Sequence, residues 1–364
     1  MVVIEEFQHL ARERPDFCSE LLAAWNESLV RKNFLLILSS GDIPFVRKEF
    51  PGRNEALRET LHTISMAPLR FEEVSGFAPS YSADELFRGY AVLGGSPYRW
   101  EGIDPGLSMT ENLAASLVRA NGFLYDETQD VLREEFRNPS TYNAILHAMA
   151  LGAATRAEIA GESLVDVRTV ARYLDALEER GLIVQEPAVF EDIAGKKPHP
   201  RFQIVDRCMA FWFRFLANRP ALVMTREEAL AEWAATVEPG FEAFAAESFV
   251  RVCRMNLLRQ FLSEKRPFPL WMLFGWRNRK TVIDSVGIDH AIRRGLVCEC
   301  LYKEEKAGLK ILRSLRKKIS GLPFPFKVNY DYWIFSRAGF DEALQDAASK
   351  DSQIHLVGME QLLE

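Results

Sequence analysis

Short all-apolar runs at residues 2–4 (Val-Val-Ile) and 34–38 (Phe-Leu-Leu-Ile-Leu) read as strands covered on both faces, as in a parallel sheet. Between them Phe17, Leu21, Leu22, Trp25 and Leu29 recur at helical spacing. The chain therefore opens strand–helix–strand and turns at Ser39-Ser40-Gly41-Asp42. Residues 42–66 are mixed in pattern. Ala83–Tyr90 and Met109–Phe136 read as helices around the turn Leu93-Gly94-Gly95-Ser96-Pro97-Tyr98.

From Asn138 to Asp206 the pattern changes. Helices are expected at Ser140–Leu151, Thr155–Ala160 and Val167–Arg180. Strands follow at Leu182–Gln185 and Phe202–Val205, joined by a Gly/Pro/Lys turn at 192–198. Three helices and a two-stranded wing are the order of a winged helix. Cys208–Leu216 is aromatic-rich and suits a docking helix, and residues 218–238 a polar helix or linker. Beyond Pro239 the expected elements are helix Phe241–Leu257, strands Thr281–Val286 and Leu296–Leu301, helix Glu305–Ile319, strand Tyr332–Phe335, helix Phe340–Ala348 and strand Gln353–Val357.

A length of 364 residues suits two or three domains, and 48 % hydrophobic with 26 % charged residues excludes a disordered chain. The net charge of −6 means that any contact with nucleic acid must come from local basic patches. Five cysteines (Cys18, Cys208, Cys253, Cys298, Cys300) show no zinc spacing, and their odd count, with Cys298 and Cys300 on an expected strand, points to a reducing cytoplasm. No apolar run is long enough to span a membrane, and the N-terminus lacks the basic flank of a signal peptide. A cytoplasmic protein without a membrane partner is expected.

Met1-Val-Val-Ile-Glu-Glu-Phe-Gln8 has the form of a Walker B element, an apolar strand delivering acids to Mg²⁺ and to the attacking water of a nucleotide triphosphate. No G-x-x-x-x-G-K-[ST] loop occurs in the chain. The phosphate cradle that such chemistry needs is therefore missing from its residues.

Several segments in order resemble the prokaryotic P-loop ATPases of the archaeal ATPase family, allied to AAA+ and STAND proteins. Val2-Val-Ile-Glu-Glu-Phe-Gln8 is similar to that family's strand with Asp-Glu-Phe-Gln. Leu35–Gly41 sits where the next strand ends in a polar sensor. Ala91-Val-Leu-Gly-Gly-Ser-Pro-Tyr98 is similar to its Gly-Gly-x-Pro-Tyr turn, and Arg201–Phe215 to the segment leaving its winged helix. Ile283-Asp284 with Val297-Cys-Glu-Cys300 is similar to the Ile-Asp and Glu-Cys-Lys pair of a C-terminal domain related to restriction endonucleases. The resemblance implies an α/β fold: a truncated P-loop NTPase segment with a helical lid (1–137), a winged helix (138–206), a docking helix and linker (207–238), and a restriction-endonuclease-like domain (239–364). The first two strands of the family's sheet would be missing. That implies either a start roughly a hundred residues upstream or a relic patched elsewhere.

The resemblance also implies site residues. Glu5 would hold Mg²⁺, Glu6 would polarise water, and Ser39 or Ser40 would sense the nucleotide. ATP and Mg²⁺ are the family's cofactors, but with the cradle absent this chain alone is not expected to bind or hydrolyse ATP. Asp284 and Glu299 would bind metal in the nuclease-like domain, with Glu242 a third acid. Leu301 stands where the catalytic Lys belongs. Lys303 could substitute if its strand persists, though ~6.5 Å further along. Lys306, Lys310, Arg313 and Lys317 make the helix after it basic. In the winged helix, Arg168, Thr169 and Arg172 face outward, and Lys196, Lys197, His199 and Arg201 lie on the wing. Asp175, Glu178 and Glu179 oppose them. DNA contact and a structural or protein-contact role for this module both stay open. The overall expectation is a DNA-associated or regulatory ATPase-family protein. The alternatives are an Mg²⁺-dependent nuclease and a non-catalytic scaffold that binds a protein partner or a second copy.

Overall fold

The structure, a computed structural model, describes residues 1–50, 62–186, 200–218, 223–263, 273–277, 281–289, 293–322 and 328–364. The fold is mixed α/β. The chain divides into two compact units, residues 1–67 with 172–183, and residues 68–171 with 184–364.

In the first unit, strands β1 (Val2–Ile4) and β2 (Leu36–Leu38) pair in parallel, Val3 opposite Ile37. Helices α1 (Phe7–Glu13), α2 (Phe17–Glu27) and α3 (Ile43–Glu49) accompany them. A small core gathers Phe7, Ala11, Cys18 and Phe50 with Ile4, Leu22 and Leu38 packed against it. The expectation of strands covered on both faces is corrected here. Val2, Val3, Leu35 and Ile37 are exposed, because this core reaches Ile4 and Leu38 but not their outward-facing neighbours.

In the second unit a 3-10 turn at Phe71–Gly76 precedes helix α4 (Ala83–Leu93), started by a Ser82/Glu85 capping box. It ends at Gly94, whose φ of 65° favours glycine. At the next residue a Cβ would lie 2.1 Å from the Leu69 carbonyl oxygen. The Gly-Gly pair therefore lets the chain turn against a neighbouring backbone before Pro97 opens α5 (Pro97–Glu101). Phe87 of α4 is fully buried and packs edge-on against Phe71 and Phe249. Burial of one such ring stabilises by ~1.5–3 kcal/mol.

The helix expected over Met109–Phe136 is broken. Helix α6 (Met109–Leu113) runs into a π-turn at Ala114–Val118, and α7 (Glu127–Glu135) follows after a loop. The Leu124 N–H bonds the Ser116 carbonyl, and the Ala120 N–H bonds that of Val223. Backbone groups committed outside the helix cannot continue it. Next come α8 (Ser140–Ala150), α9 (Arg156–Ser163) and α10 (Val167–Glu179), whose residues from Arg172 onward are counted with the first unit; strands β3 (Ile183–Glu186) and β4 (Arg201–Ile204) form a two-stranded sheet. Helix α10 buries Val170, Leu174 and Leu177, the apolar stripe its spacing gives. The aromatic segment is helix α11 (Arg207–Phe211) continued by a π-turn at Trp212–Leu216.

After α12 (Arg226–Thr236), helix α13 runs from Glu238 to Ser263, longer at both ends than its spacing suggests. Proline near its start suits the first turn, where the missing N–H costs nothing. At ~1.5 Å per residue it extends ~39 Å. It touches several parts of its unit in turn. The Arg207 guanidinium donates to the Phe244 carbonyl, Arg251 to Gln203 and the Ile204 carbonyl of β4, and Arg254 to the Asp284 carbonyl.

That last contact reaches a five-stranded sheet. Strands β5 (Phe274–Arg277), β6 (Val282–Asp289), β7 (Arg294–Leu301), β8 (Asn329–Ser336) and β9 (Ile354–Gly358) lie side by side in chain order. The first three are antiparallel and the last three parallel. Helix α14 (Leu309–Ile319) makes the β7–β8 crossover and α15 (Glu342–Lys350) the β8–β9 crossover. Leu315 of α14 packs with Val286, Ile288 and Val297, while Leu312 packs with Ile334, Leu344 and Ile354. Helix α14 starts at Leu309 rather than Glu305. The reason is that Ala307 bridges Phe340, accepting from the Asp341 N–H and donating to the Gly339 carbonyl.

Candidate functional site

Strand β6 carries an irregularity at Asp284. Its register against β5 shifts between the Trp276–Ile283 and Phe274–Val286 pairs, and a bulge of this kind re-aims a side chain. The Arg254 guanidinium fixes the bulge by donating to the Asp284 carbonyl at 2.9 Å and to the Ser285 hydroxyl at 3.3 Å. The Asp284 carboxylate accepts the Cys300 N–H at 2.8 Å, which ties it to the C-terminal end of β7.

Glu299 lies in that end of β7. Lys318, from the last turn of α14, donates to both of its carboxylate oxygens at 2.6 Å each. Both side chains are about one-fifth exposed. Burial raises the Glu299 pKa above the usual carboxylate value, the Lys318 ammonium pulls it back, and the Asp284 charge raises it further. The β6–β7 end thus combines two interacting carboxylates with one ammonium supplied by the crossover helix.

The other residues implicated for this site fall elsewhere. Strand β7 ends at Leu301, and Lys303 is exposed on the turn that follows. The condition on which Lys303 could substitute, a continuing strand, is therefore not met. Leu301 packs into the apolar cluster of Ala307, Leu312 and Ile334, which accounts for an apolar residue there. Glu242 is exposed near the start of α13, twelve residues or ~18 Å along the helix from Arg254, the residue that does reach Asp284. Helix spacing shows Lys318 as one more surface lysine. Only the way the crossover packs on the sheet reveals its reach.

In the first unit, Glu5 and Glu6 follow the end of β1 and both are exposed. Glu6 has a φ of 48° and its carboxylate accepts from the Gln8 side-chain amide. Ser39 is paired through its backbone to Ile4 and Phe7, and the Ser40 hydroxyl accepts the Asp42 N–H at 3.1 Å. Both acids and both serines thus gather at the C-terminal ends of two parallel strands. Arg168 and Thr169 occupy the first turn of α10, where the Asp166 carboxylate caps the Arg168 N–H at 2.8 Å. Arg172 is exposed, its guanidinium 5.4 Å from the Tyr173 ring centre. Arg201 opens β4, and Lys196, Lys197 and His199 lie outside the described residues. Among the described residues, no group of three or more His, Cys, Asp or Glu is placed to hold a metal ion. Nor is any helix long and apolar enough to cross a membrane.

Residues 212–356 match the family DUF234, described as archaea bacterial proteins of unknown function. The matched stretch runs from the π-turn after α11 into β9 and contains Asp284, Glu299 and Lys318. An uncharacterized protein of Methanocaldococcus jannaschii is 26 % identical over 325 residues, covering 87 % of this chain and 71 % of its own length. No solved structure matches the chain.

Proposed function

We propose that this is a DNA-associated protein whose C-terminal sheet carries a divalent-cation-dependent phosphodiesterase site formed by Asp284, Glu299 and Lys318. The observation that carries the reading is the double hydrogen bond from Lys318 to Glu299, beside Asp284, at the shared end of β6 and β7. The order helix α13, the Asp284 strand β6, the Glu299 strand β7 and the basic helix α14 supports it, because it is the order that the resemblance implies for a nuclease-like domain.

Asp284 and Glu299 supply two oxygen donors of the kind a hard cation takes. Oxygen donors suit Mg²⁺ or Mn²⁺, and burial with a neighbouring acid disfavours the Glu299 charge, which a dication would offset. When bound, such an ion polarises a phosphate oxygen and makes its water more acidic. Asp284 and Glu299 would hold it. Lys318 would keep positive charge beside the phosphate, where negative charge accumulates during cleavage. Arg254 is a positioning residue that fixes the backbone at Asp284.

A second reading is a DNA-associated regulatory protein without cleavage, of the ATPase-related kind. Lys318 neutralising Glu299 is the observation that favours it, since the pair is self-satisfied as it stands. Incubation of supercoiled plasmid with Mg²⁺ or Mn²⁺ separates the two. The proposal expects nicking that is lost in Glu299→Gln. Intact plasmid under both metals, or nicking that survives that substitution, favours the regulatory reading.

A further inference from the structure

We infer that the solvent face of helix α14 is a docking surface for the phosphate backbone of double-stranded DNA, formed by Lys310, Arg313 and Lys317. The choice of DNA rests on the phosphodiesterase reading. The surface itself rests on separate observations.

The helix reads Leu-Lys-Ile-Leu-Arg-Ser-Leu-Arg-Lys-Lys-Ile, with five cations and no acid, in a chain whose net charge is −6. Leu312 and Leu315 are buried and Ile319 packs against the sheet core. Positions 310, 313 and 317 lie at helical spacing on the opposite side and are exposed. Two of the five cations are used inside the molecule. Lys318 holds Glu299, and Arg316 pairs with Asp351 at 3.1 Å while covering the Tyr332 ring.

Helix stability accounts for cations in the last turn, where they complement the macrodipole. It does not account for Lys310, which sits in the first turn against the dipole, nor for Arg313 in the middle. Two exposed cations on other helices stand beside acids of their own helix, Arg133 with Asp130 and Lys350 with Asp346. Helix α14 carries no acid of its own, and among the described residues Lys310, Arg313 and Lys317 form no ion pair, so their charge is arranged for an external anion.

The geometry fits a duplex. Residues 310 to 317 extend ~10 Å along the helix, about three phosphates of axial rise on one strand of B-DNA. Lys318, on the same last turn, holds the Glu299 carboxylate, so this end of the helix face lies near that acid. The exposed positions of α14 include no aromatic or large apolar residue. A single-stranded nucleic acid would seek an aromatic stacking platform, and a membrane would seek apolar side chains to insert.

The test uses the full-length chain carrying Lys310→Gln, Arg313→Gln and Lys317→Gln together, all exposed changes. Binding of a fluorescent 30-base-pair duplex is followed against salt concentration in Ca²⁺, alongside single-stranded DNA and vesicles of anionic phospholipid. The wild type is expected to bind duplex in preference to both. The variant should lose at least tenfold in affinity at low salt and about 2–3 in the slope of log affinity against log salt. Unchanged affinity and slope would overturn the inference, as would preference of the wild type for vesicles or for the single strand. Duplex binding that depends on the three cations in a protein that never nicks plasmid would keep this surface and remove the phosphodiesterase. Nicking that is unaffected in the triple variant at low DNA concentration would do the reverse.

Discussion

The Lys318 ammonium donates to both oxygens of the Glu299 carboxylate, 2.6 Å from each. The two residues are nineteen apart in the chain and on different elements. Helix α14 starts beside Leu301 and runs back along the sheet towards Tyr330, and from its last turn the lysine reaches Glu299. Leu301 is two residues from Glu299 but turns into the apolar cluster. The cation at this carboxylate thus comes from the helix rather than from the strand.

Arg99 joins three segments of the second unit. It donates to Glu127 at 3.0 Å, to Asp206 at 2.8 Å and to the Leu93 carbonyl at 3.0 Å, and is itself 9 % exposed. Arg99→Met would leave two partly buried carboxylates without their counter-ion. Because Glu127 and Asp206 keep some solvent, the low end of the range for a broken buried pair applies, about 3 kcal/mol. Urea unfolding should show that loss as a lower midpoint with an unchanged slope. A change under 1 kcal/mol would rule out a structural hub here.

Helix α9 is capped reciprocally by Thr155 and Glu158. The backbone N–H groups of Thr155 and Ala154 hold the Glu158 carboxylate below the usual value. A pKa lowered by folding contributes stability that is complete above the unfolded value, about 4.3, and is lost as pH falls through the folded value. The wild type should therefore lose stability faster than Glu158→Gln as pH drops below about 4, and the two should run parallel above 5. Parallel curves throughout would contradict the capping role. Thr155→Ala should cost about 1 kcal/mol at neutral pH.

Much of the sheet was readable because its strands alternate or run apolar. The Asp284 and Glu299 strands follow directly from 281–286 and 296–301. Helix α10 followed from Val170, Leu174 and Leu177, all fully buried. Strand β5 and the break within Met109–Phe136 were not readable, nor were three features around the site. The β6 bulge depends on Arg254 reaching the Asp284 carbonyl, a contact with no sequence period. The late start of α14 depends on the Ala307–Phe340 bridge, made between residues thirty-three apart. The role of Lys318 depends on how a crossover helix lies on its sheet, and its own spacing marks only a cation at the edge of the apolar stripe.

The acids and serines at the ends of β1 and β2 lack a phosphate cradle within this sequence, which contains no G-x-x-x-x-G-K-[ST]. Glu6 and Ser40 engage Gln8 and the Asp42 backbone. Purified chain should release no phosphate from Mg²⁺-ATP above the buffer rate, because Walker B acids complete such a site but do not grip the phosphates. Steady turnover that disappears in Glu6→Gln would reject this expectation.

The most direct measurement is the initial rate of plasmid nicking in Mn²⁺ by the wild type, Lys318→Met, and Lys318→Met combined with Leu301→Lys. If Lys318 stabilises charge at the cleaved phosphate, removing it should slow nicking roughly 100-fold or more. A lysine at 301, on the strand beside Glu299, should restore part of that loss even at some cost in packing. Nicking by Lys318→Met at the wild-type rate would contradict the assignment of Asp284, Glu299 and Lys318 as one catalytic group.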